Sequence, residues 1–437
     1  MDQMIVNVEE NEWIISVKKC MENTPTEARK RPSIYKVPAY VKELNKNAYV
    51  PSAVSFGPYH HGEPHLQQLE AHKSRALVQF LRRSKKSPEE LVDALMLVVE
   101  DLKESYDSLD DPWVCNTDKF LKLMIFDGCF MLEILHVGTQ KLEDYPVDDP
   151  IFSSHGRLHV MPYIRRDMLM LENQLPMLAL KKLFAVGNPK KKVEDLNQLI
   201  INFWFRGTPY KPKEESLHIL DAYRKCLLAK PKPATGRKKT ISKPTLTAGT
   251  EIIRSAMELY EAGIKFESTK GYFLSEITFE NGVLRLPTKV IDDTTESELL
   301  NLIALERLHV GEGRQQGTGG EVAAYVFFMD NIIDSEKDVS LLHESGIIQN
   351  AMGSNKAVAK LFNSISKDLT LDPDSSLGKV HADINTYCEQ KLNAWRANLV
   401  HTYFTNPWAS LSFAAAIFLF ALTILQTIYT IYPFYKE

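Results

Sequence analysis

The chain has 437 residues, 44% hydrophobic and 25% charged, a composition that argues against a disordered chain and leaves room for two or three domains. Its formal net charge of -4 gives no global basic surface, so nucleic acid is not expected as a partner. The five cysteines, Cys20, Cys115, Cys129, Cys226 and Cys388, are far apart and form no CxxC pair, which fits reduced thiols better than a zinc site or redox motif.

Residues 1–30 read as a polar, variable tail, with Glu9, Glu10 and Glu12 around Trp13 where a secretory signal would be basic and apolar. No Asn-x-Ser/Thr sequon occurs, and both features favour a cytosolic body. Residues 31–228 read as an N-terminal helical region. Its Pro- and aromatic-rich start, Ile34 to Pro64, suits an extended, wrapped segment. Apolar spacing then predicts a helix over His65 to Arg83, through Leu66, Leu69, Ala76, Leu77, Phe80 and Leu81. Ser87-Pro88-Glu89-Glu90 is a capping box that opens a helix running to Leu102. Phe120 to Val137 is apolar on all sides except Asp127 and Glu133, as a central bundle helix would be. Arg165 to Phe184, interrupted at Pro176, and Val193 to Phe205 complete the bundle.

Residues 229–249 form a basic linker, where Lys230, Lys232, Arg237, Lys238, Lys239 and Lys243 alternate with Pro and Gly. Connection is its simplest role. Contact with anionic lipid, worth about 1 kcal/mol per basic residue, is the functional one. Residues 250–408 read as a second helical region, with helices over Thr250 to Gly263, Thr295 to His309, Glu321 to Ile333, Ala357 to Leu369 and Ile384 to Tyr403. It also holds the one β-hairpin, 272–287. Asn281-Gly282 supplies a type I′ turn that sets Glu280 opposite Val283, Phe279 opposite Leu284 and Ile277 opposite Leu286.

No Asp, Glu, Lys or Arg occurs from Thr402 to Tyr435. Ala409 to Tyr432, including Phe413, Leu419 and Leu425, is long enough to cross a hydrocarbon core of about 30 Å as a helix. Trp408 and Tyr429 sit where aromatic belts meet headgroups. With residues 433–437 as a short tail, this is the pattern of a tail-anchored, single-pass protein in the plasma membrane or an endomembrane. The fold class expected is therefore mainly α: a helical bundle body with one small hairpin, plus one C-terminal transmembrane helix.

Several phrases together resemble the plant family called domain of unknown function 247. They are Ile34-Tyr35-Lys36-Val37-Pro38, Tyr49-Val50-Pro51, Val54-Ser55-Phe56-Gly57-Pro58-Tyr59-His60-His61-Gly62 and Asp127-Gly128-Cys129-Phe130. The others are Asp167-Met168-Leu169-Met170-Leu171-Glu172-Asn173-Gln174-Leu175-Pro176, Asn301-Leu302-Ile303-Ala304-Leu305-Glu306 and Asn406-Pro407-Trp408. The resemblance implies a plant protein with one C-terminal membrane helix and no established catalysis, some grass members looking like self-incompatibility determinants.

Three constellations could carry chemistry. His60, His61, His65 and His72 with Glu63 and Glu70 hold metal-ligand types, but adjacent histidines in a turn diverge, and a turn leading into a helix is the expected role. Glu133-x-x-His136, Glu215-x-x-His218 and Glu306-x-x-His309 have the spacing of di-iron carboxylate bundles. Asp127, Asp167 and Glu172 could add acids to them. As buried carboxylates, those three are expected instead to pair with Arg165, Arg166 or helix N-termini, with Glu172-Asn173-Gln174 forming a polar network. Gly311-x-Gly313 with Gly317, Gly319 and Gly320 misses nucleotide-loop spacing, and no GxxxxGK[ST] or GxSxG occurs. The resulting expectation is a non-catalytic, membrane-tethered protein that recognises an unknown protein partner, without catalytic residues, cofactor or metal. The alternative is a metal-dependent enzyme using Glu133, His136, Glu306 and His309.

Overall fold

A computed structural model describes residues 32–431 apart from 44, 140–144, 209, 211–214, 230–253, 270, 310–319, 368, 370–374, 391–394 and 396–406. The basic linker, most of the Gly311–Gly320 loop and Tyr432 thus lie outside the described residues.

The N-terminal segment wraps before any long helix begins. Ile34 bridges Tyr106, and two single-turn helices, Ala39–Lys42 and Lys46–Ala48, punctuate an otherwise irregular path to Gly62. Helix α1, Gln67–Ser84, stops where Lys85 turns left-handed at φ 55° and donates its N–H to Leu81. Helix α2, Pro88–Met96, opens on the expected Ser87–Glu90 capping box. It does not run on to Leu102. Val98 leaves helical geometry, and a separate turn, Val99–Glu104, brings Val99 and Leu102 into the core that already holds Leu91 and Leu95.

Helix α3, Thr117–Thr139, is buried from Phe120 through Val137 except at Lys122, which is exposed, and Phe126, which is half-buried, and it packs against α1 and α2. Beyond it come α4, Met161–Asp167; α5, Met177–Gly187; α6, Val193–Trp204; and α7, Ile219–Leu227. The stretch Arg165 to Phe184 is interrupted at Pro176 as expected, with α5 starting at Met177, but its first half is helical only to Asp167, because residues 168–176 leave the helical path. Inside that stretch the Gln174 amide donates to the carbonyls of Met168 and Met170, both at 2.7 Å, which are then bonded by a side chain instead of a helical ladder. Helix α7 is short and was not expected. His218 caps it, accepting from Asp221 N–H at 3.2 Å.

The second half alternates small sheets with helices. Helix α8, Ala256–Glu261, opens on a Ser255–Glu258 capping box. Strand β1, Lys265–Ser268, follows, then β2, Thr278–Glu280, and β3, Val283–Leu286. The hairpin turn has both positive angles it needs, φ 53° at Asn281 and 74° at Gly282, and pairs Glu280 with Val283 and Phe279 with Leu284. Ile277 falls outside the ladder because it caps the 3₁₀ turn Leu274–Glu276. The hairpin is not isolated: β1 lies parallel to β3 on its other edge. A second sheet joins β4, Lys289–Ile291, in parallel to β5, Ile348–Asn350, across a crossover of helices. These are α9, Thr295–Leu308; α10, Glu321–Ile332; and α11, Glu336–Glu344, with α12, Asn355–Ile365, and α13, Ser376–Glu389, beyond them. The parallel strands β1, β4 and β5 are not legible in the sequence, because a strand of three or four residues has too short a pattern to read.

Two hydrophobic cores result. Phe56, Leu91, Phe120, Phe130, Leu180 and Phe203 belong to the first. The second gathers Ile264, Leu284, Leu302, Phe328 and Phe362, together with Tyr49, Leu171 and Tyr223 from the N-terminal half. The stretch after α4 joins them, since Met168 and Leu175 enter one core and Leu169 and Leu171 the other.

Helix α14, Pro407–Ile431, contains the 20-residue stretch Leu411–Thr430, of mean hydropathy 2.1, none of it buried. It is long and apolar enough to cross a membrane. It covers Ala409, Phe413, Leu419 and Leu425, and carries Trp408 and Tyr429 exposed near its ends. The hydroxyls of Thr423, Thr427 and Thr430 donate to carbonyls one turn back at 2.7–2.8 Å, so little hydrogen-bonding capacity is left unmet on that face.

Candidate functional site

Most of the resemblance phrases meet where the segment 51–60 lies against α1, α3 and the stretch following α4, and Asn301 of α9 joins them through Ala48 and Leu171. Lys73 is fully buried on α1, 1% exposed, and its Nζ reaches Asp127 Oδ1, Glu70 Oε1 and the Ser55 carbonyl, each at 2.7 Å. Asp127 on α3 accepts the Gly57 N–H at 2.8 Å with its other oxygen. Burial raises the Asp127 carboxyl above its usual pKa, against the opposing pull of Lys73 and Gly57. Gly57 has φ 74°, and a Cβ there would stand 2.9 Å from the Gln174 carbonyl, so the close approach requires glycine.

The next residues of the wrap are clamped in turn. Asp167 accepts the N–H groups of Ser52, Ala53 and Val54 at 2.6–3.1 Å. The Asn173 amide accepts from Phe56 N–H and donates to the carbonyls of Val54 and Asp167. Glu172 takes Val37 N–H at 2.6 Å and Lys42 Nζ at 2.8 Å, and lies 3.2 Å from His60 Nε2. The other ring nitrogen of His60 meets Glu63 at 2.6 Å. Burial alone would raise Glu172 and lower His60, but their mutual contact, with Lys42 and Glu63, outweighs it: Glu172 is held below the usual carboxylate range and His60 above 6.5.

Asp127, Asp167 and Glu172 are therefore paired, as expected, and Glu172-Asn173-Gln174 does form a polar network. The expected arginine partners are only partly right. Arg166 lies 3.5 Å from Asp167, but Arg165 turns away from all three acids. Lys73 and Lys42, the cations that do the pairing, were not singled out. Lys73 was legible, since it falls on the apolar stripe of Leu66, Leu69, Ala76 and Phe80, where a charge must find a buried partner.

Of the histidine candidates, His60 and His65 both approach Glu63, at 2.6 and 3.6 Å, while His65 Nε2 donates to the Pro51 carbonyl and His61 packs against Trp113. In the Glu-x-x-His pairs, Glu133 binds Arg83 and the Tyr145 hydroxyl, and His136 Nδ1 donates to the Leu132 carbonyl while the ring stacks on Phe184. Glu306 is held by Arg224 at 2.8 Å and by the first N–H groups of α10, Val322 and Ala323. His309 lies edge-on to Tyr35. Glu215 precedes α7 and pairs with Lys181, while His218 contacts the Ser33 carbonyl at 3.1 Å. Among the described residues no group of three or more His, Cys, Asp or Glu is arranged to hold a metal.

Beside the knot, on the other face of α4, a cleft of about 770 Å³ opens between the two cores. Arg157, Arg165 and Arg166 line one wall and Lys289, Asp292 and Glu298 the other, with Trp204, Phe205, Tyr223 and Tyr272 between. Glu298 is occupied by the Tyr223 hydroxyl at 2.8 Å and Lys289 Nζ at 2.6 Å. Asp292 is turned onto Thr294 and Thr295. Arg166 donates to Ser52 Oγ and the Asn47 carbonyl. Arg165 stands apart: its guanidinium carbon lies 4.6 Å from the centre of the Phe203 ring and 6.0 Å from that of Trp204. Burial lowers its pKa; Tyr223 nearby opposes that and Arg206 adds to it.

The model of the DUF247 family, described as a plant protein of unknown function, matches residues 34–422. The UPF0481 protein At3g47200 of Arabidopsis thaliana is 30% identical over 92% of this chain and 87% of its own length. The putative UPF0481 protein At3g02645 of the same plant is 24% identical over 96% of this chain and 94% of its own. No solved structure matches the chain.

Proposed function

The chain belongs to the DUF247 family of plant proteins of unknown function, and on that premise we propose that it is a membrane-tethered, non-catalytic protein whose helical body recognises a protein partner. The observation that supports this most is a division of labour. The buried acids that could serve catalysis are engaged by lysines, arginines and backbone N–H groups, while none of the apolar stretch Leu411–Thr430 is buried. A group already saturated by structural partners is poorly placed to move protons or hold a substrate. An exposed apolar helix of that length is stable in lipid and costly in water. The reading puts the body on the cytosolic side, which suits Cys115, Cys129, Cys226 and Cys388, free thiols among the described residues. A finer version, drawn from the family resemblance, is recognition of the self-incompatibility kind.

Membrane fractionation with alkaline carbonate tests the tether: the chain should stay with the pellet, and a variant lacking Leu411–Thr430 should become soluble. A full-length chain that washes off contradicts it. Protease treatment of intact cells should spare an N-terminal tag, and proximity labelling from the full chain should recover a reproducible set of proteins. Stoichiometric iron or manganese in the purified chain would instead favour the metal-enzyme alternative.

A further inference from the structure

The cleft between the cores carries a charge imbalance that the knot does not. Both of its acids are already engaged, Glu298 by Tyr223 and Lys289 and Asp292 by two threonines. Arg165 offers five N–H donors, and no hydrogen-bond acceptor or carboxylate in the described residues meets them. Its guanidinium is instead fixed in place by Phe203 and Trp204. Arg157 stands on the same wall, donating only to Ser154 Oγ at 3.4 Å. In a chain of net charge -4, this is a local excess of positive charge in a partly desolvated place.

Arg165 is half-buried with its N–H groups open to solvent, and a guanidinium fork is geometrically matched to a carboxylate or phosphate that would replace that water. The rest of the cleft is aromatic: Tyr272 is half-exposed at the rim, against Phe205 at 5.9 Å, with Trp204 and Tyr223 behind. Its volume of about 770 Å³ lies within the range of small-molecule sites, and a concave site of that kind differs from the broad face a protein partner needs.

We propose that this cleft binds a small organic anion, a carboxylate or phosphate head joined to an apolar body, with the head on Arg165 and the body against Trp204, Phe205 and Tyr272. The site stands whether or not the body also recognises a protein, because it is built from the cleft alone. Arg157 is the second contact for the head, and Arg166, already bonded to Ser52 and Asn47, holds that wall in place.

Calorimetric titration of the full chain in lipid nanodiscs tests the proposal with four probes: phenyl phosphate, 4-phenylbutyrate, inorganic phosphate and the uncharged 4-phenylbutan-1-ol. At least one aromatic anion should bind saturably, at least about ten-fold tighter than both inorganic phosphate and the alcohol. Which one wins distinguishes a phosphate from a carboxylate head. Arg165→Gln should weaken that binding at least about ten-fold, Arg165→Lys should fall between, and Arg157→Gln should weaken it a few-fold. Heat that is the same for wild type and Arg165→Gln is partition into lipid and overturns the site, as does the absence of saturable binding by either aromatic anion at millimolar concentration. Binding of inorganic phosphate as tight as phenyl phosphate overturns the apolar half. Unfolding temperatures are measured in parallel; should Arg165→Gln fail to fold, Arg157→Gln and Arg165→Lys carry the test, and unchanged affinity in both overturns it.

Discussion

The stretch from Met161 to Pro176 borders two polar regions that treat their charges in opposite ways. Toward the knot, Asp167, Glu172 and Asn173 are matched donor for acceptor with the wrapped segment 51–60 and with Val37 and Lys42, and Gln174 with the Met168 and Met170 carbonyls and the Leu220 N–H. Toward the cleft, Arg165 is held by rings and meets no acceptor among the described residues. Saturated polar groups at depth specify one arrangement of the chain, whereas an unsaturated cation in a cleft leaves bonds for something else to complete. Charge and burial alone would not separate the two regions; the count of partners does.

The largest effect should come from the knot. Lys73→Met leaves Asp127 and Glu70 without their buried cation and should cost about 3–5 kcal/mol in denaturant unfolding, against little change for an exposed lysine such as Lys85→Met. A loss below about 1 kcal/mol would remove the distinction between the regions. Acid should act next. Burial pulls His136 and His218 down to about 4 from their ordinary 6.5. Between those values the unfolded chain binds more protons than the folded one. Stability is therefore complete above about pH 6.5 and falls as pH drops toward 4, by up to about 3 kcal/mol per histidine. Unfolding curves across that range should flatten in His136→Leu.

A backbone test comes third. Gly282→Ala adds a Cβ at φ 74°, 2.7 Å from the Tyr387 hydroxyl on α13, and should cost about 1–2 kcal/mol by thermal unfolding. Smallest is Arg165→Gln, which removes only ring contacts and should change stability by less than about 1 kcal/mol. A cleft arginine that proved as costly as Lys73 would mean that both regions are architectural.

Much of the body was legible where periodicity is long or a cap is explicit. The Ser87 capping box, the all-round apolar run of α3 and the Asn281-Gly282 turn each appear as read. What escaped depends on distant partners. The parallel strand β1 and the β4–β5 pair join residues far apart in sequence, with three or four residues per strand. Between Arg165 and Phe184 the interruption at Pro176 was legible, but the helix already stops at Asp167, because Gln174 and Asn173 bond the backbone in place of a helical ladder, a competition invisible to apolar spacing. At the site, the acids were identified and their pairing anticipated, but Arg165 was assigned to them. Helical neighbours along a sequence point to different sides, and only the fold shows that Arg166 meets Asp167 while Arg165 lines the cleft.

The measurement that bears most directly on the account is a double-mutant cycle over Lys73→Met and Asp127→Asn, read by unfolding and by phenyl phosphate and 4-phenylbutyrate titration of the same samples. An architectural knot predicts that the double variant loses at least about 1 kcal/mol less than the two single variants summed, and that its anion affinity, once folded, equals wild type. Additive losses, or a folded double variant that no longer binds the anion, would contradict it.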